Sequence, residues 1–345
     1  MRSAFSATLV TLLFAAAAVA QTLSPPQQFA RLGDFRLQNG EVIRDCRLGY
    51  RTFGTLNAAR SNAVLFPTWF SGTTADLVDM LQSGALGNRN DYVIAVDALG
   101  DGVSSSPSNS RMQPRLQFPH FSIADMVASE HAMLENVLGI HHLKAVIGIS
   151  MGGMQTFQWI VSYPGFMDHA IPIVGSPRLT SYDRLLWETE HHIIEESTAW
   201  QQGNYRVPPL IKALGDLHNL NLTTPAYRVA HTSPAAFPAF LHSLEDQPQR
   251  FDLNDWLRQL DAMLSMDVSA PFGGDMARAA AVVRTDLLVV PSRQDHMVNP
   301  TPALDFAKLT HAHVLELTGD CGHLANGCEA DKLNPAVAAV LGSER

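Results

Sequence analysis

Six short apolar runs punctuate the chain: Ala63 to Phe66, Tyr92 to Val96, Ala145 to Ile149, Ala170 to Val174, Leu287 to Val290 and Val314 to Leu317. Apart from Glu316 in the last, each is free of polar residues, the pattern of a strand buried on both faces. Between them apolar residues recur at helical spacing, as at Ile123, Met126, Val127, Met133, Leu134, Val137 and Leu138, which predicts a helix over Ile123 to Leu138. Strand and helix taken in turn predict an α/β fold: a mostly parallel central sheet with helices on both faces. The segment Phe35 to Thr55 mixes polar and apolar positions around Asn39-Gly40, a two-residue hairpin signal, and predicts antiparallel strands at one edge of the sheet.

The alternation stops after Val174, and about 110 residues pass before strand character returns near Leu287, too long a stretch for a plain loop. Leu185 to Ala199 and Leu253 to Leu264 are helix-compatible, while Pro208-Pro209, Thr224-Pro225 and Ser233-Pro234 break the pattern. This interval is expected to be an inserted helical cap over residues 179–283, with the core formed by 21–178 and 284–345. Ahead of the core, Met1-Arg2 precede an apolar run from Leu9 to Ala20 that ends in Ala18-Val19-Ala20. That run is short for a bilayer span and its small-residue end suits signal peptidase, so residues 1–20 read as a secretory signal and the mature chain is expected outside the cytoplasm, secreted or periplasmic.

A hydrophobic fraction of 46% with 17% charged residues belongs to a globular protein with a large core. The 24 Lys and Arg against 33 Asp and Glu leave a formal charge of -9, and no run of basic residues offers a footprint for phosphate backbones, which argues against a nucleic-acid partner. Nor is a membrane partner expected once the signal is removed. Three cysteines are too few for a disulfide scaffold, and no Cys-x2-Cys pair suggests structural zinc. His311-x-His313 and His191-His192 lack an accompanying ligand set, so neither a metal nor a cofactor is expected.

The strongest local signal is Lys144 to Gly153, where an apolar strand runs directly into Gly148-x-Ser150-x-Gly152, followed by helix-compatible residues from Met154 to Val161. This is a nucleophile elbow: a sharp strand-to-helix turn lifts the Ser150 hydroxyl above the sheet, and the glycines let backbone pack closely around it. The free N–H of Met151 at the helix start can face a developing oxyanion. Serine needs a base, and the base a group that holds its tautomer. The chain order Ser, acid, His is met by Asp295, after the strand Leu287 to Val290, and by His323, after the strand Val314 to Leu317. Carboxyl ends of parallel strands share one edge of a sheet, so the three can converge there. His296 and Asp320 are the nearest rivals; the first would diverge from its neighbour Asp295, and the second sits close enough to His323 to shape its turn. A second oxyanion donor is expected in Pro67 to Gly72, from the N–H of Phe70 or Trp69. Cys321 and Cys328 bracket His323 and either form a disulfide or remain two independent thiols; Cys46 is then unpaired, or takes one of them as its partner.

With these motifs in place, the chain resembles the homoserine O-acetyltransferase family of α/β-hydrolases. Arg47 to Asn57 looks like that family's opening strand, Asp97 to Pro107 like its glycine- and serine-rich loop, and Phe121 to Val127 and Gly148 to Gln155 are similar too. In the cap, Trp200 to Tyr205 and Arg250 to Asn254 carry the likeness. The resemblance implies that Ser150, Asp295 and His323 act as nucleophile, acid and base, that Phe70 and Met151 supply the oxyanion hole, and that the protein forms a homodimer. Two departures stand out. The family follows its histidine with Asp-Ala-Phe, whereas this chain has Leu324-Ala325-Asn326, and the cap arginine that holds the homoserine carboxylate has only Arg228 and Arg206 as candidates. Together with the export signal, these departures point to an exported serine hydrolase that cleaves small-molecule carboxylic esters through an acyl-enzyme. An O-acyltransferase using acyl-CoA is the alternative.

Overall fold

The protein is described here by a computed structural model covering residues 24–83, 90–245 and 251–342; the apolar amino-terminal run and Arg250 lie outside these residues. Eight strands form one sheet: β1 (Gln28–Arg36), β2 (Val42–Phe53), β3 (Ala63–Pro67), β4 (Tyr92–Val96), β5 (Leu143–Ile149), β6 (Met167–Ile173), β7 (Asp286–Val289) and β8 (His313–Val314). Their order is β1-β2-β4-β3-β5-β6-β7-β8, antiparallel from β1 to β4 and parallel from there onward. This is the α/β-hydrolase arrangement.

Successive residues of the central strands feed opposite layers, which is why those strands are apolar apart from Lys144, Asp168, His169 and Asp286 near their amino-terminal ends. Val64 and Phe66 of β3 pack with Leu77 and Leu81, next to and within α1 (Val78–Ser83), and with Leu333 and Val337 of the carboxyl-terminal helix. Leu65 packs on the other side with Met126 of α2 (Ile123–Met133) and Phe157 of α3 (Met151–Ser162). Between β6 and β7 the chain forms α4 (Ser181–Glu195), α5 (Lys212–Leu222), α6 (Pro225–His231), α7 (Phe237–Glu245), α8 (Leu253–Leu264) and α9 (Met276–Ala281). Three more helices follow: α10 (Thr301–Thr310), α11 (Ala325–Cys328) and α12 (Ala330–Gly342). The inserted helices have a small core of their own around Ile194, Trp200, Tyr205, Leu214, Leu253 and Leu257.

Several elements depart from the sequence reading for local reasons. The edge hairpin begins earlier, at Gln28, and its loop is longer than two residues: Leu37 N–H donates to Glu41 O and Gly40 N–H to Leu37 O, while the Leu37 side chain turns into the core. The helix expected to reach Leu138 is α-helical only to Met133; a π-turn over Leu134–Leu138 follows, closed by Gly139 in the left-handed conformation. α4 starts at Ser181, before the first apolar residue of its pattern, because Thr180 and Asp183 form a capping box. The last strand shortens to His313–Val314, with Leu317 retained as an isolated bridge to Ser292.

Beneath the sheet, Glu130 of α2 is buried, and one carboxyl oxygen accepts a 2.7 Å hydrogen bond from Trp159 Nε1 of α3 while the other has no partner among the described residues. Burial pushes its pKa up to about 8. Between the ordinary glutamate value of 4.5 and about 8, the folded chain therefore holds a proton that the unfolded chain has lost. This group makes stability fall as pH rises through that window, by at most about 1.4 kcal/mol per unit, and has no further effect above it. Glu130→Gln, which mimics the neutral acid, is expected to gain on the parent protein as pH rises from 5 to 8, with the gap constant above pH 8. Urea denaturation across that range measures it; a gap independent of pH would contradict the burial argument.

Candidate active site

The turn from β5 into α3 places Ser150 at φ 57°, ψ -118°, a conformation that costs a non-glycine residue about 1–3 kcal/mol. The surrounding backbone holds it: Ser150 N–H donates to Ile173 O of β6, and Ser150 O accepts from Met154 N–H. Glycine is required on both sides of the turn. A Cβ on Gly148 would stand 2.1 Å from Gly152 O, and one on Gly152 would stand 2.6 Å from Pro67 O at the end of β3. The serine hydroxyl is thus presented at the carboxyl ends of the parallel strands.

Asp295 lies in the turn after β7, where its Oδ1 accepts from the N–H groups of Met297 (2.8 Å) and Val298 (2.9 Å). Its Oδ2 lies 2.7 Å from His323 Nδ1, and His323 Nε2 lies 2.8 Å from Ser150 Oγ. The Asp295 and His323 side chains are only 1% and 8% exposed. The geometry fixes the tautomer: a carboxylate can only accept, so Nδ1 carries the proton and Nε2 is left to accept from the serine hydroxyl. The three residues named from the sequence therefore meet.

The rivals do not compete. Asp320 is exposed and takes part through its backbone O, which accepts from Thr224 Oγ1 of the insertion; His296 is half-buried, and its neighbour Asp295 turns to His323. The loop carrying His323 is held from three sides. Ser292 Oγ donates to Gly322 O, Gly322 adopts φ 66° against Thr223, and a disulfide joins Cys321 to Cys328. That pairing leaves Cys46 free; burial pushes its thiol up to about 12, which keeps it protonated and unreactive.

Met151, at the start of α3, and Phe70, in the loop after β3, are both buried, and none of the hydrogen bonds among the described residues uses either backbone N–H. The Phe70 loop is tied to the insertion. Gln259 of α8, fully buried, accepts from Ser71 N–H at 2.9 Å and donates to Leu99 O at 3.1 Å. The Phe70 ring packs edge-on against Trp256 of the same helix, centroids 4.8 Å apart. Trp69, the other possible donor, is half-buried with its indole against Gly72.

These groups open into a cavity of about 460 Å³ lined mainly by Trp69, Phe70, Ile149, Trp187, Leu222, Met263, Met297 and Leu324, with Ser71, Glu190, His218 and Asn326 as its polar members besides Ser150 and His323. Among the described residues no lysine or arginine lines it. Arg228 lies over the Phe240 ring and bonds Thr223 and Thr232, and Arg206 is exposed, so neither candidate for a carboxylate clamp reaches the cavity. Glu190 and His218 were missed in the sequence reading. Trp187 and Glu190 share one face of α4 at helical spacing, a visible signal, but nothing local marks His218. Folding also gathers Arg31, Arg44, Arg47 and Arg111 around a second concavity of about 400 Å³, a basic group the linear sequence does not reveal; Arg44 pairs with Asp34 and Arg31 with Asp45.

The profile of the Alpha/beta hydrolase family matches residues 63–334, and the chain belongs to that family. Within it the chain is of the homoserine O-acetyltransferase-like kind. It is 29% identical over 337 residues to the ethyl acetate hydrolase of Pseudomonas veronii, covering 92% of this chain and 96% of that protein. It is 28% identical over 329 residues to the homoserine O-acetyltransferase of Nostoc punctiforme, covering 84% and 92%. The crystal structure of an acetylester hydrolase from Corynebacterium glutamicum superposes with a TM-score of 0.85 at 27% identity, over 92% of this chain and 96% of the other. The protein is an enzyme of ester chemistry, performing hydrolysis or acyl transfer.

Because the turn at Ser150 leaves no space beside Gly148, Gly148→Ala is expected to lower Tm by roughly 5 °C or more and activity on an acetyl ester at least ~100-fold. Gly165→Ala, where an added Cβ meets open space, is expected to change neither. Thermal denaturation and initial rates of the two variants check this; equal behaviour would mean that the elbow tolerates the added methyl.

Proposed function

We propose that this enzyme is a serine esterase that hydrolyses small, neutral carboxylic esters, acetyl esters foremost. The observation that carries the reading is the proton path from Ser150 Oγ to His323 Nε2 at 2.8 Å, opening on a mainly apolar cavity lined by no lysine or arginine among the described residues. Ser150 Oγ attacks the ester carbonyl carbon as its proton passes to His323. Asp295 stabilises the imidazolium so formed, and the N–H groups of Met151 and Phe70 receive the negative charge that develops on the carbonyl oxygen. Collapse of the tetrahedral species breaks the bond to the alkoxy oxygen, which leaves as the alcohol with the proton from His323. Water then attacks the acyl-enzyme, giving its proton to the same nitrogen, and the carboxylic acid departs as Ser150 regains its hydroxyl.

Two considerations favour water over homoserine as the acceptor. Homoserine would bring a carboxylate into a wall where no arginine or lysine among the described residues meets it and where the carboxyl group of Glu190 already stands; burying an unpaired ion costs several kcal/mol. The similarity to an ethyl acetate hydrolase and an acetylester hydrolase points the same way. We also infer that residues 1–20 are removed on export, supported by the Ala18-Val19-Ala20 end of the apolar run and by the Cys321–Cys328 bridge, a feature of oxidising compartments.

Ser150→Ala is expected to lower the turnover of p-nitrophenyl acetate by about 10⁶-fold and Asp295→Asn by about 10⁴-fold, with Asp320→Asn unaffected. Acetyl-CoA with homoserine should yield O-acetylhomoserine at less than about one hundredth of the hydrolytic rate. A transfer rate exceeding hydrolysis would reassign the enzyme to the acyltransferases, and full activity in Ser150→Ala would remove the serine from the mechanism. Mass spectrometry of the exported chain is expected to find Gln21 at its amino terminus; an intact Met1 would refute the cleavage.

A further inference from the structure

The wall of the cavity contains a second carboxylate–imidazole pair that the hydrolytic steps leave unused. Glu190 of α4 is fully buried, and both of its oxygens are taken: Oε1 lies 3.0 Å from His218 Nδ1 of α5, and Oε2 accepts from Trp256 Nε1 of α8 at 3.2 Å. An ionised carboxylate can only accept, so the His218 proton sits on Nδ1 and the lone pair is left on Nε2. The ring is further fixed by an edge contact with Trp256, centroids 5.2 Å apart, and a tilted one with Phe70 at 5.8 Å. Both Glu190 and His218 line the cavity, and no hydrogen bond among the described residues engages His218 Nε2. Three helices of the insertion thus converge to hold one imidazole in one tautomer, beside the loop that carries Phe70.

An apolar cavity takes its orientation preference from the few polar groups in its wall. We propose that His218 Nε2 is a recognition point for a hydrogen-bond donor on the ester substrate, so that the favoured esters carry a hydroxyl group in addition to the ester, with Glu190 as the positioning residue behind it. The inference rests on the esterase reading for the identity of the ligand as an ester, but the binding contact it describes does not require turnover. A site built to bond a hydroxyl discriminates against the isostere that replaces it with methyl, because the acceptor in the wall is then desolvated without a partner.

The isosteric pair 2-hydroxyethyl acetate and propyl acetate provides the test, with dissociation constants measured by NMR titration on the Ser150→Ala chain, so that chemistry does not intervene. The hydroxy ester is expected to bind at least about 10-fold more tightly. In Ser150→Ala/Glu190→Gln/His218→Phe, which removes the buried charge along with its partner, the ratio is expected to fall to about one. The same loss is expected in Ser150→Ala/Glu190→Gln/His218→Leu, which keeps the experiment decisive if the larger ring prevents folding. Equal affinities in the Ser150→Ala chain, or a preference that survives both replacements, would overturn the proposal. Failure of the esterase reading would be seen separately, as absent turnover of both esters by the unsubstituted enzyme.

Discussion

The crowding of backbone around residue 150 is the constraint on which the site depends. Strand β5 must end, reverse direction and start a helix within a space bounded by Pro67 O, Ile173 O and the carbonyl of Gly152, and it does so only because Gly148 and Gly152 carry no side chains. In exchange for a strained φ at Ser150, the fold obtains a hydroxyl exposed at the strand ends and a helix start whose first N–H groups face the same place. The neighbouring strands then fix the rest, since β7 and β8 end on the same edge and their following turns carry Asp295 and His323.

What surrounds these side chains is a series of backbone clamps. The Asp295 carboxylate is aimed by two N–H groups of its own turn, and the His323 loop is pinned by Ser292, by the fit of Gly322 against Thr223 and by the disulfide. Each lies outside the contacts among Ser150, His323 and Asp295, and each removes a rotation that would separate imidazole from hydroxyl. The orientation of the three side chains is thus built into the fold itself.

The centre of the sheet was legible in the sequence because its strands are buried on both faces: β4 matches the run Tyr92 to Val96 end for end, and the other central strands differ from theirs by a few residues. The elbow and the order Ser150, Asp295, His323 were legible because they are written as contiguous patterns at strand ends. Less could be read wherever pairing is irregular or distant. The shortened β8 keeps its hydrogen bonds through isolated bridges, which no apolar run records, and the π-turn after Met133 retains helical spacing without α-helical bonding. The Glu190–His218 pair joins residues of two different helices, and its meaning exists only after α4 and α5 are packed.

One amide side chain from the insertion, that of Gln259, bridges two loops at the strand ends, accepting from Ser71 N–H and donating to Leu99 O. Helices that shape a binding cleft are usually regarded as exchangeable parts, free to diverge while the chemistry beneath stays constant. Here they are structural partners of the machinery itself. A chimera that transplanted a foreign lid onto this scaffold would have to bring an equivalent amide at the same spot, or the strand-end loop beside Ser150 would lose its anchor along with its old specificity.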